Sequence, residues 1–167
     1  MLLAEALAAR KDAISEIDDL GHRLAAAALR YEDEDAAGEA PAEIVSRLTN
    51  VLERFEALTV QINRTNSDTH LAFDGRQLSV MEAIALRARL TMEARARRMA
   101  VDAVEQVSGK GGRARGWLGS RRSKDDVREL PTVDLKEERH AADQISETLR
   151  RLDLALQKRN WTTDLIE

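Results

Sequence analysis

The chain contains no cysteine, which excludes disulfide staples, thiolate metal sites and cysteine nucleophiles together. Aromatic residues are nearly as scarce, five in 167 residues: Tyr31, Phe55, Phe73, Trp117 and Trp161. With 7 Ile and 9 Val against 26 Ala and 21 Leu, there is too little β-branched and aromatic surface to cover the faces of a sandwich or barrel. The longest wholly apolar run, Leu24 to Leu29, is six residues, far short of the roughly 20 that cross a bilayer. No membrane span is expected. The opening Met1-Leu-Leu-Ala-Glu5 meets an acid with no basic region before it, so no secretory leader is expected and the expected location is cytoplasmic.

What is present is the composition of long amphipathic helices, Ala and Leu mixed with 34% charged residues. The length fits a single helical domain, 1–167. Heptad spacing divides it into four helices. The first, about residues 2–33, carries Leu3, Leu7, Ile14, Ile17, Leu24, Ala28 and Tyr31 on one stripe, interrupted by Arg10 and Gly21. The second, 42–63, steps without a break through Ile44, Leu48, Val51, Phe55, Leu58 and Ile62 behind Pro41. The third, 80–107, opens on the capping box Ser79/Glu82, carries Met81, Ala85, Ala88, Met92, Met99 and Ala103, and is stopped by Ser108-Gly109. The fourth, 135–160, opens on Asp134/Glu137 with the stripe Leu135, Ala142, Ile145, Leu149, Leu152 and Leu156.

Of the connections, Glu32 to Glu39 is acidic, Asn66 to Leu78 holds the turn signal Asp74-Gly75 for a small hairpin or a simple loop, and Ser108 to Val133 is rich in Gly and Arg. The expected fold class is all-α, an up-down-up-down bundle of four long helices with that Gly/Arg-rich loop between the third and fourth. Alanine-rich seams bury little apolar area per residue, which points to assembly with copies of itself; close alanine packing in a monomer is the other reading.

Three segments together, Ile62-Asn-Arg-Thr-Asn66, Leu130-Pro-Thr-Val-Asp134 and Asn160-Trp-Thr-Thr-Asp-Leu-Ile-Glu167, resemble the small bacterial helical proteins often labelled septicolysin. The resemblance runs over essentially the whole chain, including Leu3-Ala-Glu-Ala-Leu7. It implies a helical homo-oligomer, with a hexamer among the implied states, and no catalytic residues. The stretch Lys124-Asp-Asp-Val-Arg-Glu-Leu130 departs from the family pattern, being less apolar and less strand-like. The cytolysin activity the label suggests is set aside, because the chain has no thiol and no lipid-facing element to build a pore.

Up-down topology gathers a candidate polar pole of Arg10, Asn63, Thr65, Asn66, Asn160 and Trp161, joined by His70 and Asp74. One reading is a pocket of amide donors and acceptors walled by Trp161; the other has Asn63 or Asn66 capping the second helix and Trp161 pinning the tail. Glu137-x-x-His140 and Asp19-x-x-His22 imitate di-metal spacing. Their heptad positions face outward, so no metal and no cofactor is expected. Charge is polarised: residues 87–124 sum to +8 and the remainder to −12. Arg113, Arg115, Trp117, Arg121 and Arg122 are the candidate contacts to a polyanion, nucleic acid or anionic lipid. Against this stands neutralisation of the basic segment by the acidic connection. The function expected is a non-enzymatic homo-oligomeric helical protein, with polyanion binding as the alternative.

Overall fold

A computed structural model of the chain describes residues 1–29, 39–113 and 132–166. Among them the protein is all-α apart from one hairpin: α1 (Leu3–Ala27), α2 (Pro41–Asp68), β1 (His70–Phe73), β2 (Arg76–Ser79), α3 (Val80–Arg113) and α4 (Leu135–Thr162). The chain divides into two compact units, one of Met1–Glu82 with Ala155–Glu167, the other Ala83–Leu154.

In the first unit α1 and α2 run antiparallel along one seam. Leu3 and Ala6 meet Leu58 and Ile62 near one end, and Ala13 and Leu20 meet Ile44 and Val51 toward the other. The α2 stripe is the one the spacing predicts, with Leu48 and Phe55 packed at its margin. On α1 the seam is turned by about one residue from the predicted stripe. Leu3, Ala6, Ala13 and Leu20 are fully buried while Ile14 is exposed. Size misled the prediction: the wide Ile14 marks the edge, and methyl-sized Ala6 and Ala13 sit at the centre, where they let two helix backbones come close. The ion pair Arg54–Glu16 (2.8 Å) crosses the seam, and Glu39 bridges Arg23 and Arg47.

Asp74-Gly75 builds a hairpin, not a loop. Both residues have positive φ, 45° and 75°, the pattern of a type I′ turn whose twist matches that of the strands. The register pairs His70 with Ser79 and Phe73 with Arg76. Leu71 and Phe73 are buried at alternate positions of β1, and Leu78 and Ser79 are buried at the end of β2 where the chain passes into α3. Ser79 then ends β2 and starts α3 in one step. Its Oγ accepts from Glu82 N–H (3.2 Å), and the Glu82 carboxylate accepts from Ser79 N–H (2.7 Å), closing the predicted capping box. The Ser79 N–H and, at 3.0 Å, the Ser79 hydroxyl both donate to the Glu82 carboxylate, and these two bonds, the backbone one first, hold the Glu82 carboxyl below the ordinary glutamate range.

In the second unit α3 and α4 run antiparallel. Asp134 caps α4 by accepting from Lys136 N–H at 2.8 Å. Ala83, Leu90, Ala94 and Val101 of α3 and Ala142 and Leu152 of α4 are buried. The stripe predicted for the third helix is therefore not its core: Met81, Met92 and Met99 are exposed. The helix is apolar on two opposite sides, and the spacing picked out the side that faces solvent.

Helix ends differ from the predicted 2–33, 42–63, 80–107 and 135–160 for local reasons. The first helix stops at Ala27, and Leu29 just beyond it is exposed. The second continues to Asp68 because Thr65, polar yet fully buried, carries the stripe one turn beyond Ile62. The third passes Ser108-Gly109 to Arg113; glycine costs a helix about 1 kcal/mol and does not forbid it. Residues 114–131 of the Gly/Arg-rich connection lie outside the described residues.

Candidate functional site

The predicted polar pole lies in the first unit, and its residues do different things. Thr65 is the buried one. Its Oγ1 donates to the Gln61 carbonyl (2.8 Å) and accepts the backbone N–H of Ile166 (2.9 Å), so the hydroxyl has both a donor and an acceptor role filled. The C-terminal segment continues this attachment against the N-terminus. Leu3 N–H donates to Thr163 O (2.9 Å), Leu165 N–H to Met1 O (2.8 Å), and Leu165 packs on the cluster of Leu3, Ala6, Leu58 and Ile62. Arg159 Nε donates to the His70 carbonyl (2.7 Å), tying α4's last turn to the hairpin.

The other pole residues stay at the surface. Asn63 is exposed, Asn66, Asn160 and Arg10 are half-buried, and Trp161 is 64% exposed. Helix α2 ends on the bond from Thr69 N–H to the Thr65 carbonyl (2.9 Å), without an asparagine side chain. Asp19, His22, Glu137 and His140 are exposed, as their heptad positions require. Among the described residues no three His, Asp or Glu side chains gather as a metal site would require.

The basic side of α3 lies against acids. Arg97 donates to Glu138 (2.8 Å) and sits 3.4 Å from Glu93, Arg89 pairs with Glu93 (3.1 Å), Arg87 with Asp153 (3.5 Å), and Arg98 donates to Ser146 (2.9 Å). Arg139 of α4 pairs with Glu105. The hydrogen bond to Glu138, with that carboxylate's charge, raises the Arg97 pKa above its ordinary value. Much of the positive charge read from the third helix is thus neutralised within the unit. The acid that ends the acidic connection, Glu39, is held by Arg23 and Arg47 in the first unit.

Beside these pairs runs a groove of about 290 Å³, with Arg95, Arg98 and Asp102 on its polar side and Ala94, Met99 and Leu149 on its apolar side. A second of about 230 Å³ shares Arg98 and Asp102 and reaches Arg139 and Asp143. Acid and base are mixed in both, and neither presents a nucleophile beside a base. Of the predicted polyanion contacts, Arg113 closes α3; its side chain, with Arg115, Trp117, Arg121 and Arg122, lies outside the described residues.

The surface the prediction missed is the outer side of α3. Met92 is 71% exposed, Met99 60% and Ile84 40%. The signal was in the sequence: Ala83, Leu90, Ala94 and Val101 make a second stripe half a turn away, and a helix apolar on two sides cannot bury both against one neighbour.

Residues 10–165 match a family of unknown function, DUF6847. The fold is similar to the crystal structure of a functionally unknown conserved protein from Corynebacterium diphtheriae, with a TM-score of 0.80, 30% identity and 99% of each chain covered. No curated protein matches the chain. Neither match carries the septicolysin label. Among the described residues no helix is long and apolar enough to cross a membrane.

Proposed function

The chain belongs to the DUF6847 family of unknown function, and on that premise we propose that it is a cytoplasmic, non-enzymatic protein that works as a homo-oligomer. The observation that carries this reading is an inversion in the second unit. Among its described residues the large apolar side chains that are buried are Leu90, Val101 and Leu152, while Ile84, Met92, Met99, Val133 and Leu154 stand exposed. A large apolar side chain gains about 1.5–3 kcal/mol when it leaves water. Leaving these five outside while packing alanines inside is a poor solution for an isolated unit and an ordinary one for a subunit. The absence of cysteine agrees with it, since small domains with thin cores in oxidising compartments rely on disulfides.

Light scattering coupled to gel filtration tests the reading. The expected mass is an integer multiple of 18.6 kDa, falling toward the monomer on dilution; a monomer throughout the range of about 1–100 μM overturns it. Binding to RNA or DNA that weakens steeply with salt, and is lost when Arg113, Arg115, Arg121 and Arg122 are replaced by serine, would put a polyanion-binding module in its place.

A further inference from the structure

We propose that α3 is the element through which two copies meet: its face of Ile84, Ala88, Met92, Ala96, Met99 and Ala103 packs antiparallel on the same face of a second copy, around a two-fold axis beside Ala96. This rests on the homo-oligomer reading and names its interface. At 3.6 residues per turn the six positions share one side of the helix, opposite the side that carries the buried Ala83, Leu90, Ala94 and Val101.

The occupant follows from symmetry in the pattern. A two-fold interface must be self-complementary, residue i meeting j while j meets i. In an antiparallel pair that requires the face to read alike in both directions. Met92 and Met99 are centred between residues 95 and 96, and Ala88 and Ala103 have the same midpoint. The methionines of one copy therefore lie level with those of the other, flanked outward by alanines. At the crossing point stands Ala96, whose methyl lets the backbones approach, and methionine's flexible thioether fills what space the crossing leaves.

Area sets the strength. At about 30 Å² per methyl or methylene, the exposed parts of Ile84, Met92 and Met99 and the three alanine methyls come to roughly 270 Å² of apolar surface per copy. A standard interface buries about 800 Å² per partner, a little over half of it apolar. The face thus supplies more than half of the apolar share, and the aliphatic stems of Arg89 and Arg95 flank it. This places the pair at the small, dissociable end of specific interfaces. Arg95, which has no ion-pair partner among the described residues, stands close to its own symmetry mate beside the axis. Raising salt screens that repulsion and tightens the pair, the opposite of the salt response of polyanion binding.

The absence of cysteine makes the test clean. In full-length Ala96→Cys the introduced thiol is the only one, and it faces its twin across the axis; mild oxidation is expected to trap a covalent dimer, while Lys11→Cys, on the exposed side of α1, stays monomeric in denaturing gels. Met92→Glu and Met99→Glu, at solvent-facing positions that leave helicity unchanged, are expected to weaken association at least tenfold by sedimentation equilibrium. An oligomer that neither glutamate weakens and that Ala96→Cys does not cross-link overturns this interface and leaves the broader reading standing. A monomer at every concentration overturns both.

Discussion

Replacing Thr65 by valine isolates one hydroxyl, because the two side chains share a shape and differ in a single polar group. In the native protein that hydroxyl is fully buried, donates to the Gln61 carbonyl and accepts from Ile166 N–H. Losing the donation costs little, since the Gln61 carbonyl lies in the helix interior, where the backbone ladder supplies its partner. Losing the acceptor strands the Ile166 N–H, which must stay unpaired or pull away into water. An exchanged hydrogen bond is worth about 1 kcal/mol and a stranded buried donor about 1–3 kcal/mol. Release of the segment caps the loss, so the expected destabilisation is about 1–2 kcal/mol. The sharper readout is local. Hydrogen exchange at Leu165 and Ile166 should accelerate in Thr65→Val and stay near native in Thr65→Ser, which keeps the oxygen while giving up a methyl. Unchanged exchange at both amides, or Thr65→Ser behaving like Thr65→Val, would refute the role assigned to this hydroxyl.

Leu20→Ala, at a fully buried position against Ile44 and Val51, should lower unfolding free energy by about 3 kcal/mol, whereas Ile14→Ala at the exposed edge should cost under about 1 kcal/mol; denaturant titration compares them. Gly75→Ala places a β-carbon at φ +75° and should cost about 1 kcal/mol with the hairpin's register intact, checked by thermal unfolding and backbone chemical shifts. Ser79→Ala should cost about 1 kcal/mol through the lost cap. The Glu82 carboxyl has a folded pKa below its unfolded one, so its contribution is complete above the ordinary glutamate range and fades as pH falls through that range to the lowered folded value. Glu82→Gln should remove this part of the acid-side loss of stability, and an unchanged pH profile would contradict the capping box as its source.

The parts of the fold legible in the sequence were those where one strong signal had no competitor. The α2 stripe of large aliphatics, the Ser79/Glu82 box and the Asp74-Gly75 turn each specify a local geometry that tertiary packing did not override. The misreadings on α1 and α3 have one physical origin. Periodicity weighs a residue by its hydrophobicity, so Ile14 and Met92 outvote Ala13 and Ala94, although a closely packed seam selects the smaller side chain. Thr65 was invisible as core for the complementary reason: its burial is made affordable by two hydrogen bonds, one to a segment a hundred residues away in sequence. Of the residues named for the polar pole, Thr65 is the buried one, and its two hydrogen bonds account for that burial.

The methyl groups of Ala6 and Ala13 on α1 have no exposed surface at all. In a library that substitutes every position of α1 in turn, the least tolerant sites should be among the chain's smallest residues. Any larger side chain there must wedge α1 from α2, while bulky Ile14 accepts polar replacements. The helix would thus display its mutational fragility where a hydrophobicity profile is flattest.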